Sequence, residues 1–183
     1  MSGHIIILSG PSGAGKDTVI DAWKAVDPTV CRVIAYTTRE PREGEVNGDH
    51  YHFVSADTFR QMISDGKFLE YKEVHGQYYG TPIDDLNQMV SEGKTAILKI
   101  DVQGALEAMQ KLPHAVSIFI LPPSLEELER RLRERQTESE EKLQLRLKNA
   151  REEIALAEHY TYRLVNDKVE KVVEELVTIK GGL

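Results

Sequence analysis

The feature that most constrains this chain is the run from His4 to Val19, HIIILSGPSGAGKDTV, in which four consecutive apolar residues, Ile5 to Leu8, break into a glycine-rich turn ending in Gly15-Lys16. A continuous apolar run of this kind fits a strand buried on both faces of a parallel sheet. Gly10, Gly13 and Gly15 keep the following turn free of side chains. Successive backbone N–H groups can then wrap a phosphate at the start of a helix, while Lys16 reaches the terminal phosphates. The spacing from Gly10 to Gly15-Lys16 fits GxxxxGK. Glycines alone would mark only a tight strand-to-helix turn, but three glycines, a lysine and an apolar strand in register favour a nucleotide-binding loop of Gly10, Pro11, Ser12, Gly13, Ala14, Gly15, Lys16, Asp17 and Thr18. Asp17 stands where a serine or threonine normally offers a hydroxyl to magnesium, and the first hydroxyl available is that of Thr18.

A chain of 183 residues suits one domain with insertions better than two domains. No apolar run approaches the roughly 20 residues of a membrane helix, and the first ends at Leu8, short of a signal-peptide core. The expected location is the cytoplasm, with no membrane partner. Cys31 is the only cysteine, which excludes an intramolecular disulfide and a thiolate metal cluster; within the apolar CRVIAY segment it reads as a structural thiol. A net charge of −7 argues against nucleic acid as a partner.

Beyond the loop, Val19, Trp23 and Val26 recur at helical spacing, which makes Trp23 a packing residue, and Asp27-Pro28 ends that helix. Cys31 to Tyr36 reads as a second strand. It leads into a polar, turn-rich stretch, Thr37 to Gly48, whose Arg39 and Arg42 taken alone read as solvated charge. Tyr51 to Val54 is a short strand, Ala56 to Asp65 a helix and Phe68 to His75 an extended stretch, together suggesting an antiparallel insertion. Gly76 to Pro82 reads as an aromatic loop and Ile83 to Ser91 as a helix closed by Gly93. The parallel pattern resumes with strands at Thr95–Asp101 and Ala115–Leu121, each followed by a helix, the second capped by Ser124 and carrying Leu125, Leu128 and Leu132 on one side. Asp101 is either that strand's functional carboxylate or a simple helix N-cap. A helix from about Glu140 to His159, a strand over Tyr162–Val165, a cap at Asn166-Asp167 and a terminal amphipathic helix with Val169, Val172, Val173, Leu176 and Val177 complete the chain. Alternating strands and helices call for an α/β fold, a parallel sheet with helices on both faces.

With the loop, TTREPREGEVNGDHYHF, FLEYKEVHGQYYGT, LKIDVQGA and ESEEKLQLRL in view, the chain resembles a guanylate kinase, of the P-loop nucleoside monophosphate kinase group, over nearly its whole length. The resemblance implies transfer of the γ-phosphoryl group of ATP to GMP or dGMP with magnesium. It implies a core of residues 1–36 and 84–183, a small mixed α/β GMP-binding insertion at about 37–83, and a mobile lid at about 135–146. By the same resemblance Lys16, Arg131, Arg135 and Arg146 are catalytic, and Asn166 joins the loop in binding ATP. Arg39, Arg42, Tyr51 and Tyr79 grip the acceptor's phosphate, Glu70 reads guanine N1–H and N2–H, Thr81 donates to guanine O6, and Asp101 lies near acceptor and metal. Asp17 and Asp101 are the implied metal-side carboxylates.

The sequence departs from the family pattern at Ala35, where a serine is common, at Lys99, where an acidic residue is usual, and at Gln136, where a glycine often sits. Asp17 and Lys99 together suggest a compensating exchange: the acidic group has moved from strand to loop, and Lys99 offsets its charge. Two other readings compete. A guanylate-kinase-like binding module would have a damaged loop, whereas this loop keeps its glycines and Lys16. A ribose-bisphosphate kinase shares Asp after the loop lysine, but Glu70, Tyr79 and Thr81 speak against it.

Overall fold

The computed structural model describes residues 3–74, 76–134 and 139–183; Arg135 and Gln136, expected in the lid, lie outside the described residues. The first apolar run forms β1 (His4–Ser9), and the helix it feeds, α1 (Lys16–Val26), starts one residue after the last loop glycine. Four more strands join β1: β2 (Val30–Arg32), β7 (Thr95–Lys99), β8 (Val116–Leu121) and β9 (Tyr162–Val165). Their order is β2-β7-β1-β8-β9 and every pairing is parallel.

Both faces of this sheet are buried, as the uninterrupted apolar runs require. Ile6 and Leu8 pack on one side with Val19, Ile20 and Trp23 of α1 and Val172, Val173 and Leu176 of α7 (Val169–Gly181). Ile7 points the other way. It meets Leu86 of α3 (Ile83–Ser91), Val102, Ala105 and Ala108 of α4 (Val102–Lys111), and Ala157 and Tyr160. Trp23 is fully buried, a packing residue as its spacing predicts. Helices α5 (Leu125–Glu134) and α6 (Glu140–Ala155) form a third apolar cluster from Leu128, Leu132, Leu143, Leu147 and Ala150. Among the described residues no helix is long and apolar enough to cross a membrane.

A second sheet of order β4-β3-β6-β5 comprises β3 (Tyr36–Thr37), β4 (His52–Phe53), β5 (Phe68–Val74) and β6 (Gln77–Pro82), with α2 (Ala56–Ser64) packed beside it. Here the structure corrects two expectations. The single strand expected over 31–36 is two: pairing with β7 continues to the Val33 N–H on the Ile97 carbonyl, after which the chain leaves for the second sheet. An apolar pattern records burial, not which sheet supplies it. The aromatic loop expected at 76–82 is instead β6, antiparallel to β5. Gly76, at φ 77°, turns the hairpin, and the Tyr and Thr side chains of QYYGTP suit a half-buried strand.

Smaller corrections concern element ends. Val26, Leu125 and Val177, assigned to apolar stripes, are exposed, because each lies at the margin of its helix's buried face. The helix expected over 140–159 turns 3₁₀ at Leu156–His159. Ser124 caps α5 through the Glu127 N–H as expected. Asn166 is no cap; α7 begins at Val169 with Lys168 at its N-cap position and no side-chain cap, and Asn166 is committed elsewhere.

The insertion has an aromatic core of its own. Phe59, fully buried, stacks on Phe68 at 4.4 Å and on Tyr78 at 5.3 Å, and the pile fits only because Gly80 has no side chain. A Cβ at Gly80 would stand 2.8 Å from Phe68 Cδ1 and 2.9 Å from Phe59 Cζ. Gly80→Ala is therefore expected to destabilise the protein by about 1–3 kcal/mol through overpacking; urea unfolding reads this, and an unchanged midpoint would show that the ring stack yields freely.

Candidate active site

The loop Gly10–Gly15 leaves the carboxyl end of β1 at the point where the sheet's connections diverge. From β1 the chain crosses to β2 on one side of it, and β7 connects across β1 to β8 on the other. Crevices at such points are where open parallel sheets bind ligands. Gly15 has φ 86° and leads straight into α1. A Cβ there would lie 2.5 Å from Asn166 Nδ2, and that amide donates to the Ala14 carbonyl at 2.8 Å. Asn166, from the far end of the chain and 3% exposed, thus locks the loop from behind. Lys16 lies across the loop and donates to the carbonyls of Gly10 at 2.5 Å and Pro11 at 2.9 Å.

The loop forms one wall of a cavity of about 440 Å³. Gly10, Ser12, Gly13, Gly15, Lys16, Asp17 and Thr18 line it from the core sheet, and Tyr51, Glu70, Tyr79 and Thr81 line it from the insertion. Lys99 and Asp101, from the end of β7, form its floor. An adjoining cavity is lined by Gly13, Gly15, Thr18, Arg131, Asn166 and Asp167. There Arg131 donates to the Asn166 carbonyl at 3.2 Å and to Glu127 at 2.7 Å.

On the insertion side, β5 and β6 place Glu70 directly opposite Thr81. The Thr81 hydroxyl donates to Glu70 Oε1 at 2.5 Å. Burial lifts the Glu70 carboxyl above its ordinary value of 4.5, with the Thr81 hydrogen bond working against that shift. Gly104 of α4 makes room for it, since a Cβ there would stand 3.0 Å from Glu70 Oε2. Asp101 realises its N-cap alternative, with Oδ1 accepting from the Gly104 N–H at 2.8 Å. It also borders the cavity, where its other oxygen pairs with Lys72.

The two arginines expected at the acceptor's phosphate are placed differently. Arg39 makes a two-pronged pair with Glu45, both contacts 2.8 Å. That pair, helped by the Arg42 N–H, holds Glu45 at about 2. The Arg39 guanidinium lies 5.5 Å from the Tyr51 ring centroid, so it backs the tyrosines that face the cavity. Arg42 is exposed and does not line the cavity, nor does Arg146.

The loop carboxylate has partners that the sequence only hinted at. Asp17 Oδ1 accepts from Lys99 Nζ at 2.5 Å and from Arg32 Nη1 at 3.2 Å. Burial opposes ionisation of Asp17, but Lys99, Arg32 and Lys16 together hold it below its ordinary value. The unusual pair Asp17 and Lys99 is therefore one unit, as the idea of compensating exchange requires. Arg32 was missed, although an arginine inside an apolar strand is itself a signal. Lys72 and Glu153 also line the cavity unannounced. Lys72 was legible as the same-face neighbour of Glu70 two residues on; Glu153 had no signal beyond its place on a long polar helix.

The guanylate kinase family model matches residues 2–180. The chain is 46% identical over 177 residues to a guanylate kinase of Clostridium perfringens strain 13, covering 97% of this chain and 82% of that one. It is 42% identical over 175 residues to one from Prochlorococcus marinus strain MIT 9312, covering 96% and 95%. A solved guanylate kinase structure from Anaplasma phagocytophilum superposes with a TM-score of 0.78 at 35% identity, covering 99% of this chain and 86% of that one. With that likeness running from the phosphate loop through the insertion to the last helix, the chain belongs to the guanylate kinase family.

Proposed function

We propose that this protein is a cytoplasmic guanylate kinase that transfers the γ-phosphoryl group of ATP to GMP or dGMP, yielding ADP and GDP or dGDP. The observation that carries the reading is that the loop with Lys16 and the buried Glu70–Thr81 pair open onto the same cavity. A phosphate grip and a reader of paired N–H donors thus face each other across one ligand-sized space. The core comprises residues 1–36 and 84–183, and residues 37–83 hold the acceptor.

In this reading an oxygen of the acceptor's phosphate attacks Pγ, the bond from Pγ to the β,γ-bridging oxygen breaks, and ADP leaves with that oxygen. Negative charge spreads over the moving group, so catalysis is positioning and charge neutralisation. Lys16 and the loop N–H groups hold the donor phosphates. Arg131 and Asn166 border the adjoining space on the donor side, and Tyr51 and Tyr79, backed by Arg39, hold the acceptor phosphate. An ionised Glu70 accepts from both guanine N–H donors, while Thr81 turns its hydroxyl to O6; adenine would leave the carboxylate buried and unpaired.

Oxygen donors suited to magnesium border the loop. Thr18 lines the cavity and carries a hydroxyl, and Asp17 keeps one oxygen beyond the one that Lys99 and Arg32 share. Among the described residues no cluster of three acidic, His or Cys ligands forms a cage, which suits an ion arriving on ATP with most of its waters. Bound there, it would neutralise charge on the β- and γ-phosphates.

The direct test is ADP release in a coupled assay with ATP and magnesium against GMP, dGMP, AMP, UMP and ribose 1,5-bisphosphate. Turnover is expected with the two guanine acceptors and near background with the others. Turnover with none would support the binding-module reading, and turnover with ribose 1,5-bisphosphate would replace the acceptor.

Glu70→Gln separates function from stability. A carboxyl whose pKa is higher in the folded than in the unfolded chain costs stability when ionised, and the cost appears as pH rises from 4.5 through the raised value. At pH 7 the variant should be at least as stable as the parent, yet bind GMP more than about tenfold more weakly. A variant that melts lower while keeping its GMP affinity would remove Glu70 from base recognition.

The Asp17–Lys99 unit predicts coupling. In a cycle of Asp17→Asn, Lys99→Met and the double variant, stability and kcat/KM at several magnesium concentrations should be non-additive. Direct neighbours couple by about 0.5–3 kcal/mol, here near the lower end because Asp17 is 64% exposed. Single losses that simply sum would dissolve the unit.

A further inference from the structure

Lys72 is a long cation in the middle of the cavity with no role in the scheme above. It follows Glu70 by two residues on β5 and so faces the same side, about 7 Å further along the strand. The cross-strand register puts Glu70 opposite Thr81 and Lys72 opposite Tyr79, and all four line the cavity. The hairpin therefore presents a ladder with two rungs. One is the pair that reads the base; the other holds Lys72 beside the tyrosine assigned to the acceptor phosphate. From the phosphate rung Lys72 reaches Asp101, whose Oδ1 lies with Glu70 Oε2 over Gly104, so its side chain crosses from the phosphate end toward the base, the span that the sugar of a nucleoside monophosphate occupies.

The ammonium is partnered although the Lys72 side chain is 39% exposed. It pairs with Asp101, whose carboxylate is fixed by capping α4 through Gly104, and Glu153 borders the same space from α6. A ribose diol presents two hydroxyls, each able to donate and accept. A carboxylate accepts from one and a neighbouring ammonium donates to the other, which makes the Lys72–Asp101 pair a fitting partner for a diol. A 2′-deoxy sugar would leave one of these partly buried groups without its partner, and sites built to bind a hydroxyl discriminate against its absence.

We propose that Lys72, with Asp101, binds the acceptor's sugar and sets a preference for ribose over 2′-deoxyribose; this rests on the acceptor reading of the Glu70 site. Lys72 also contributes charge near Glu70, but that acts on the base, which GMP and dGMP share. The ratio of their affinities cancels it and isolates the sugar.

The experiment is calorimetric titration of GMP and dGMP into the intact protein and into Lys72→Met and Lys72→Arg, with thermal melts to verify folding. The parent should bind GMP roughly tenfold more tightly than dGMP, the size expected of one charge-assisted hydrogen bond. Lys72→Met should bring the ratio close to one by weakening GMP while dGMP changes less than about twofold, and Lys72→Arg should retain part of the preference. If the parent binds both alike, or if Lys72→Met weakens both in parallel, Lys72 only steadies Asp101 and the inference falls. Should Lys72→Met fail to fold, the Lys72→Arg ratio decides: a preference for GMP reduced from the parent's supports the inference, and a ratio equal to the parent's overturns it. A parent that binds neither guanine nucleotide overturns the acceptor reading itself, an outcome distinct from loss of sugar preference alone.

Discussion

The site depends on a stretch of backbone being held open where a parallel sheet divides. The loop from Gly10 to Gly15 must stay open toward the cavity, and its internal turn bond, from the Ala14 N–H to the Pro11 carbonyl, leaves most of it to be held by other segments. It is held from outside: β1 anchors one end in a sheet buried on both faces, α1 starts at the other, and the Asn166 amide grips Ala14 from behind. Ile120 closes in as well, since its carbonyl would lie 2.3 Å from a Cβ on Gly10. The glycines are thus demanded by the packing of distant strands as much as by a phosphate.

Charge around the cavity is arranged in partnered sets. Near the donor loop, one carboxylate oxygen of Asp17 takes two cations, Lys99 and Arg32. On the acceptor side Lys72 stands among Glu70, Asp101 and Glu153. Arg39 is oriented by Glu45 before it backs Tyr51. Fixing such groups in advance lets them meet phosphates and a purine without reorganising, which is how electrostatic stabilisation becomes useful to a reaction.

The insertion serves this arrangement through a sheet and an aromatic core of its own. Its rings, Phe59, Phe68 and Tyr78, stack around the space left by Gly80. The hairpin they support turns Glu70, Lys72, Tyr79 and Thr81 to one side. The Glu70 carboxylate is costly to bury, and its raised pKa reflects that cost; the hairpin and the Thr81 hydroxyl keep it in place.

Glu70 and Thr81 came into view only through the resemblance to guanylate kinases; by itself the sequence determined the α/β class, the loop and its glycines, the buried strands and the packing role of Trp23. These follow from local spacing: apolar runs mark strands buried on both faces, and GxxxxGK has a backbone reason for every glycine. Other features needed the tertiary structure. The split of 31–36 between two sheets, the conversion of the aromatic loop into β6, and Asn166's change from cap to loop anchor all turn on which distant segment supplies the partner. The same holds for Asp17 meeting Lys99 across 82 positions of chain and for Lys72 meeting Asp101. A one-dimensional pattern records whether a residue is buried or charged, whereas the partner of a hydrogen bond or an ion pair is fixed only when the sheet order brings two strand ends together.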